Sequence, residues 1–542
     1  VTGWVLVLAA LFAQYPYARW FLRGDDDDPI LLLALTFALS AGVVSLIGLW
    51  IGLIGLPIGH EMVSVIALTT GLIGFVALRP PLLLLHLPRR PPDRAAFALI
   101  GVTAGLVLFN ATYWPPHLDD AVAIYGYQGK QIALTGRLPV PAPDIQYEGY
   151  PMAVPLLYAF VHRASGAVNE SLAALIPALM SVGVIGAAYS LGRVLYSPHV
   201  GVVAALLTAL SPMFAHWASS GYVDLPTGFF YGLSAVFAAR WEKSGRWQDA
   251  LLIGIMAGMA AWVKNSSLLI LPGIGLWVLM RLINGPDRGA VLRGAVLIGV
   301  GWAGVAGAWY ARNLILAGYI VPPTGWTWLA QRTVPNLFPH LADSRYGLPG
   351  VVMAAGTLIA AWRALRGEAA ARLLWTLYGP FFAAWWALVS YDGRFMLAVL
   401  PLAAVMGAVA LPIPASVGRP ARPLIVGVVA LAAGVAWWAA VDYKEALIRR
   451  PLADAEERTA IVLGDRYGVA VFLRSLPPGS RIWTTDTLLP YRADGLHVTA
   501  GGLPTATDAY DYVILQPGQA PPLGLPLREI YAEAGWRVMA RP

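Results

Sequence analysis

The sequence predicts an all-α polytopic membrane protein of about fourteen transmembrane helices with a small C-terminal α/β soluble domain. Three observations predict it. Of 542 residues, 58% are hydrophobic and only 12% are charged, where a soluble domain carries roughly a quarter charged residues. Runs such as Ile30–Trp50 and Leu424–Val441 are long enough to cross a ~30 Å hydrocarbon core as helices. From Asp442 onward charged residues and turn formers return, and no further segment could span.

Taken in order, apolar spans fall near 3–22, 29–51, 62–86, 95–113, 171–191, 199–214 and 224–240. Further spans fall near 248–263, 267–283, 292–311, 347–364, 373–390, 395–412 and 424–441. Thr2–Leu22 has no basic n-region and no A-x-A-like exit, so it reads as a retained helix. Asp25–Asp28 reads as a solvated turn, and its mixed charges leave the first three spans without a firm orientation. The basic connections Arg89–Arg94, Arg240–Arg246, Arg281–Arg293, Arg363–Arg372 and Arg419–Arg422 all fall on one side of this frame. The positive-inside rule makes that side cytoplasmic. The other side then receives the long loops 114–170 and 312–346 and the tail, and long loops in a bundle are usually functional. The chain divides into N-terminal helices 1–94, a transmembrane core 95–441 and a soluble non-cytoplasmic domain 442–542. In the last, a helical pattern over Arg458–Leu476 precedes β-like runs at Arg481–Thr485, Tyr510–Leu515 and Trp536–Ala540, with Phe472, Ile482 and Val513 in the core.

Composition also excludes. No cysteine means no disulfide, thiolate metal site or cysteine nucleophile. The net charge of +7 follows membrane topology, so it marks no nucleic-acid surface. The 21 Trp and 23 Tyr suit a chain with many membrane–water interfaces.

The richest chemistry lies in loop 114–170. His117-Leu-Asp119-Asp120 follows a membrane helix, and Ala121, Ile124, Tyr125, Gln128 and Ile132 then read as an amphipathic helix lying along the interface. A carboxylate at that boundary is placed to take a proton from an incoming hydroxyl; its plainer role is a helix N-cap. Downstream stand Tyr150-Pro151, then Asp224-Leu-Pro226, Trp262-Val-Lys264-Asn265, Trp309-Tyr310-Ala-Arg312-Asn313 and Asp392-Gly-Arg394-Phe395. The frame built from Lys and Arg places Asp119, Asp224, Lys264, Arg312 and Arg394 on the same, non-cytoplasmic side.

These segments, in this order over residues 95–412, resemble the GT-C membrane glycosyltransferases, nearest the protein O-mannosyltransferase and lipid A aminoarabinose transferase group. The acidic pair is Asp-Asp where Asp-Glu is usual, and the double proline of the aminoarabinose transferases is missing. The Trp-Trp-Asp motif of oligosaccharyltransferases is missing from the tail. The resemblance implies a polyprenyl-phosphate sugar donor, Asp119 as catalytic base and Asp120 as its support or as a ligand of a divalent cation (Mg or Mn). Arg394, Arg312 and Lys264 are candidates to bind the donor phosphate, with Arg394 favoured for its planar fork. Tyr125 and Tyr150 belong with the substrate-binding set, and Asp224 is placed to hold substrate or a cation through hard oxygen ligands. Plainer roles stand beside these: Lys264 snorkelling to the interface, Arg394 partnering Asp392, Asp224 capping the next span. The acceptor is a protein, a lipid or a polysaccharide. The competing classes are a transporter or flippase for a lipid-linked or polar solute, and a non-catalytic membrane scaffold.

Overall fold

The structure is a computed structural model. It describes residues 2–23, 28–81, 91–140, 149–285, 287–321, 344–388, 392–411, 441–500, 503–505, 508–522 and 524–542, with scattered positions between 431 and 438. The expected span 424–441 and the basic pairs Arg89-Arg90 and Arg419 with Arg422 lie outside the described residues or at their margin.

The N-terminal helices are α1 (Thr2–Phe12), α2 (Tyr15–Phe21), α3 (Pro29–Leu53), α4 (His60–Leu78) and α5 (Pro91–Tyr113). The first expected span is therefore broken. At the break, buried Gln14 takes its backbone N–H to Ser40 Oγ (3.0 Å) and its amide to the Ala67 carbonyl (3.0 Å), fastening α1–α2 to α3 and α4. Loop 114–170 is largely helical where it is described. It holds a π-helical turn (Ala121–Gly126) running into α6 (Tyr127–Thr135), and then α7 (Ala153–Ala164). The core continues through α8 (Glu170–Leu195), α9 (Pro198–Ala209), α10 (Pro212–Trp217), α11 (Asp224–Ser244) and α12 (Trp247–Val263). It ends with α13 (Asn265–Asn284), α14 (Arg288–Ala317), α15 (Ser344–Leu365), α16 (Ala369–Leu388) and α17 (Gly393–Ala410).

Among the described residues, eight helices are long and apolar enough to cross a membrane. They sort into two layers. Helices α3, α8 and α17 are mostly buried, and beside them α11, which is not one of the eight, is buried from Asp224 to Trp241. Around them α4, α5, α13, α14 and α15 leave large apolar residues exposed, such as Leu72, Val102, Ile283, Val296 and Leu358. Apolar side chains facing outward along whole helices need lipid as their solvent.

The two ends of the bundle differ. One end gathers the basic connections. Arg246 donates to the carbonyls of Arg23 (2.8 Å) and Phe21 (3.0 Å), Arg193 pairs with Asp28 (3.0 Å), Arg281 with Glu242 (3.4 Å), and Tyr196 donates to Glu368 (3.0 Å). Asp28 is thus no solvated turn residue: it caps α3 by accepting from Leu31 N–H (2.9 Å) and faces Arg193 and Ser190. Asp25–Asp27 lie outside the described residues. At the opposite end the α3–α4 turn meets loop 114–170, where Ile58 N–H donates to the Gly136 carbonyl (2.9 Å). Gly136 ends α6 at φ 71°, a backbone that suits glycine. These contacts orient α1–α4 relative to the rest, which residue charge alone left open.

The C-terminal domain is a five-stranded sheet in the order β2-β1-β3-β5-β4, with β1 Arg481–Thr484, β2 His497–Ala500, β3 Tyr512–Leu515, β4 Arg528–Glu533 and β5 Trp536–Ala540. β1 pairs parallel with β2 and β3, and β5 pairs antiparallel with β3 and β4. β1, β3 and β5 lie on the three expected runs; exposed β2 and β4 carry no apolar alternation that would signal them. The single expected helix is two, Ala455–Leu463 and Arg466–Leu473, separated at Gly464. Ile482 and Val513 are fully buried, whereas Phe472 is half-buried and stacks on Tyr531.

Close helix packing generates one stability prediction. A Cβ on Gly254 of α12 would press on the Ile298 carbonyl of α14, whereas one on Gly299 meets nothing. Gly254→Ala is expected to cost about 1–3 kcal/mol and lower the thermal midpoint of the detergent-solubilised protein, with Gly299→Ala near wild type. Equal midpoints would show that this contact does not hold the two helices together.

Candidate active site

The site is assembled from the ends of elements. α5 stops at Tyr113, the Trp114-Pro115-Pro116 turn redirects the chain, and Asp119-Asp120 lead into the π turn, whose wider winding inserts an extra residue. Asp120 makes no capping hydrogen bond; its side chain turns elsewhere. After α10, Gly221 at φ 79° turns the chain so that Tyr222 and Asp224 reach the head of α11. α12 ends as Lys264 goes extended, and Asp392 caps the 3₁₀ start of α17 by accepting from Arg394 N–H (2.9 Å).

These ends converge on Arg394. Its Nη2 donates to Asp120 Oδ2 at 3.2 Å, and its Nε lies 3.4 Å from Asp224 Oδ2 and 3.7 Å from Asp392 Oδ2. Tyr222, Trp217 and Phe395 surround the guanidinium at 4.5, 5.0 and 5.4 Å from their ring centroids. Lys264 Nζ donates to Asp224 Oδ1 at 2.6 Å and sits over Phe395 (4.5 Å). Arg345 pairs with Asp392 at 2.9 Å. Asp120, Asp224 and Asp392 are thus matched by Arg394, Lys264 and Arg345. Asp224 is 2% exposed, and both Lys264 and Arg394 meet its carboxylate. It is the first residue of α11 and makes no capping bond.

Burial raises the Asp120 carboxyl above its ordinary range; Arg394 and Lys264 pull against that, and Asp224 and Asp119 add to it. Burial, then Asp120, pushes the Tyr222 phenol up to about 12. Tyr125 is raised well above its usual value by burial, then by Asp120, Asp224 and Tyr150. The Tyr222 phenol oxygen accepts from Asp120 N–H at 3.1 Å.

Of the residues singled out in sequence, Asp120, Asp224, Lys264 and Arg394 meet in one network. Tyr125 and Tyr150 lie within electrostatic reach of it. Asp119 is exposed beside Asp120, and among the described residues no cation pairs with it. Arg312 is set on the first loop instead: it donates to the Pro139 carbonyl and stacks on Trp309 (4.7 Å), while Asn313 donates to Gly149 (2.9 Å). His216 contacts Trp217 edge-on, and His340 lies outside the described residues. Asp120 and Asp224, expected to be able to hold a divalent cation, share a guanidinium. No group of three or more acidic or His side chains at metal-holding spacing occurs among the described residues. Tyr222, Trp217 and Arg345 were not singled out. The aromatic pair at 217 and 222, just before Asp224, is the signal that would have found the first two.

This arrangement sits in a known frame. Residues 150–298 match the family model described as dolichyl-phosphate-mannose-protein mannosyltransferase. Among solved structures the chain is similar to ArnT from Cupriavidus metallidurans in the apo state: TM-score 0.57, 14% identity, 82% of this chain and 97% of that one. It is also similar to the arabinofuranosyltransferase AftD from Mycobacteria (0.51, 14%, 83% and 40%). A third similarity is to the oligosaccharyltransferase AglB from Archaeoglobus fulgidus in complex with an inhibitory peptide and a dolichol-phosphate (0.50, 14%, 74% and 64%). No curated protein matches. The protein is a multi-pass membrane protein with the fold of the GT-C glycosyltransferases.

Removing one member of the charge network tests it. Asp224→Ala strands Lys264 and part of Arg394 and is expected to cost about 3–5 kcal/mol, read as a lower thermal midpoint. Asp224→Leu with Lys264→Met removes both charges and is expected to recover most of the loss. A double variant no better than the single one would show that the pair is not the source of the cost.

Proposed function

We propose that this chain transfers a sugar from a polyprenyl-phosphate donor to an acceptor hydroxyl on the non-cytoplasmic face, with Asp119 as general base. The observation that carries the proposal is Arg394. It is a largely buried guanidinium at the head of a core helix, on the end of a GT-C bundle opposite the basic connections, with carboxylates of the first loop and of the head of α11 against it. The matched family model, and a structure of ArnT bound to undecaprenyl phosphate, support this donor class.

In the proposed step the donor phosphate is held by Arg394, whose planar fork can grip two oxygens at once, with Lys264 as the neighbouring cation. The acceptor oxygen attacks the anomeric carbon as the bond from that carbon to the phosphate oxygen breaks. The phosphate leaves with the bonding electron pair, and Asp119 takes the acceptor's proton. Direct displacement inverts the anomeric centre. Asp120 is tied to Arg394 and orients it; Asp119, exposed and unmatched by a cation among the described residues, keeps its lone pairs for the proton. Arg394 already bridges Asp120 and Asp224, so the proposed step draws on no divalent cation there. The positive-inside rule assigns the basic end to the cytoplasm.

Transfer from a panel of radiolabelled polyprenyl-phosphate sugars is expected for wild type, with Asp119→Asn losing ~100-fold or more, as for a general base. Arg394→Lys should fall about tenfold or more for loss of a charge-assisted hydrogen bond. Undiminished transfer by Asp119→Asn would remove Asp119 from the role, and loss of transfer in EDTA would bring a metal ion into the step. Sidedness is read separately, because the chain has no cysteine. A cysteine at Gly518 should react with a membrane-impermeant maleimide on intact cells and one at Gly245 should not; the reverse pattern would invert the topology.

A further inference from the structure

A second cavity lies beside this site. It is lined by Ala121 and Gly126 of the π turn but by none of Asp120, Asp224, Lys264 or Arg394, and its volume is about 30 Å³. One water needs roughly 10–15 Å³ on this measure, so the space takes two or three small polar groups. Its wall comes from the end of α5, from α7, from the start of α8, from Ser219–Gly221 and, across the domain boundary, from Asp442 and Tyr491.

Three side chains that line it are more than nine-tenths buried and hold a polar atom without a hydrogen bond: Trp114 Nε1 (residue 4% exposed), His162 Nε2 (3%) and Asn110 Oδ1 (7%). Their roles can be assigned. Asn169 N–H donates to His162 Nδ1 at 3.1 Å, so the ring's proton is on Nε2 and that atom is a donor. Burial, and then nearby Lys130, lowers this imidazole to about 4, so it is neutral at physiological pH. Asn110 Nδ2 is engaged by Ser219 Oγ at 2.5 Å, leaving Oδ1 as acceptor. Two donors and one acceptor therefore line one cavity, and each costs the fold a desolvation penalty while unmet.

What meets them is constrained by charge. The cavity is lined by two carboxylates: Glu170, paired with Arg492 (2.7 Å), and Asp442, which faces His117 of the same wall (3.4 Å). No Lys or Arg lines it, so an anion would meet two carboxylates and no permanent cation. A hydroxyl both donates and accepts, so it can match donors and acceptor alike. The aromatic side chains of Trp114, Tyr158 and Tyr491 also line the space, a surface suited to the C–H side of a sugar.

We propose that this cavity binds a neutral, hydroxyl-bearing group, the edge of a sugar. In the transferase reading, on which this assignment of role rests, that sugar belongs to the acceptor. The lining residues His117 and Ala121 flank Asp119-Asp120 in sequence, so a glycan seated here presents its next hydroxyl toward the acidic pair. The acceptor is then a neutral glycan, in preference to an anionic headgroup.

The test is saturation-transfer NMR on the full chain in detergent, without donor, using methyl α-mannoside and methyl α-arabinofuranoside as probes and a uronate for comparison. Wild type is expected to give signal with the neutral glycosides and little with the uronate. Trp114→Phe, which deletes little beyond the indole N–H, and Asn110→Leu should each weaken binding about fivefold or more, the loss of one hydrogen bond. Gly299→Ala should bind as wild type. Absence of glycoside signal in wild type, or signal indifferent to both cavity variants while they melt normally, overturns the site and leaves a pocket for ordered water only. Should Asn110→Leu fail to fold, Trp114→Phe alone decides. Sugar transfer by a protein without cavity-dependent binding overturns this site and leaves the transferase reading standing. Cavity-dependent binding in a protein that transfers nothing supports the site and overturns that reading.

Discussion

A guanidinium that cannot lose its proton, held where water is scarce, is the constraint on which the functional end of this protein depends. Arg394 must be met by carboxylates or it would not be buried. The carboxylates that meet it come from three separate elements: the first loop (Asp120), the head of α11 (Asp224) and the cap of α17 (Asp392). Asp224 and Asp392 stand at helix N-termini, where the backbone dipole already favours negative charge. One cation thus fixes the relative positions of a loop and two buried helices. The aromatic rings of Trp217, Tyr222 and Phe395 keep the guanidinium plane in place without supplying charge.

The C-terminal domain acts on the same loop from the other side. Lys130 of α6 is buried and donates to the Tyr491 carbonyl (2.7 Å) while pairing with Asp494. Arg492 reaches Glu170 and the Pro116 carbonyl (3.2 Å), and Arg458 donates to the Tyr113 carbonyl (2.7 Å). Every one of these contacts falls on a flank of the π turn, at 113–116, 130 or 170. A loop that would otherwise pay the entropy of ordering on its own is clamped between a membrane core and a soluble sheet. Among the described residues this domain adds no charged side chain to the Arg394 network; its contacts fall on the segments that flank Asp119 and Asp120.

Much of this was legible in the residues, and the reasons divide cleanly. Long apolar runs must be helices in lipid, because no other element satisfies its backbone there; hence the spans were visible, and Lys and Arg showed which ends belong together. Asp224, Lys264 and Arg394 were visible because charges near span ends are rare and need partners. That Arg394 faces Asp120 across 274 residues was not visible, since no local period encodes a contact between a loop and a distant helix head. Gln14 shows another limit: a polar residue inside an apolar run gave no sign that Ser40 and Ala67 would take its hydrogen bonds and break the helix there. The exposed strands β2 and β4 failed for a third reason, because a strand whose faces are both wet has no alternation to read. His162 was passed over because its significance lies in one unmatched nitrogen, and that depends on Asn169 N–H holding the other.

The charge balance at the site bears on how a lipid phosphate would enter. With Asp120, Asp224 and Asp392 set against Arg394, Lys264 and Arg345, the ligand-free network is neutral, and an incoming phosphate brings negative charge with no spare cation waiting. Two features ease that entry. Arg394 Nε and Asp224 Oδ2 are close but share no hydrogen bond, so part of the guanidinium's donor capacity is unspent even among three carboxylates. Arg345 is half exposed and pairs with Asp392 at the rim of the network, where an entering ligand would first meet it.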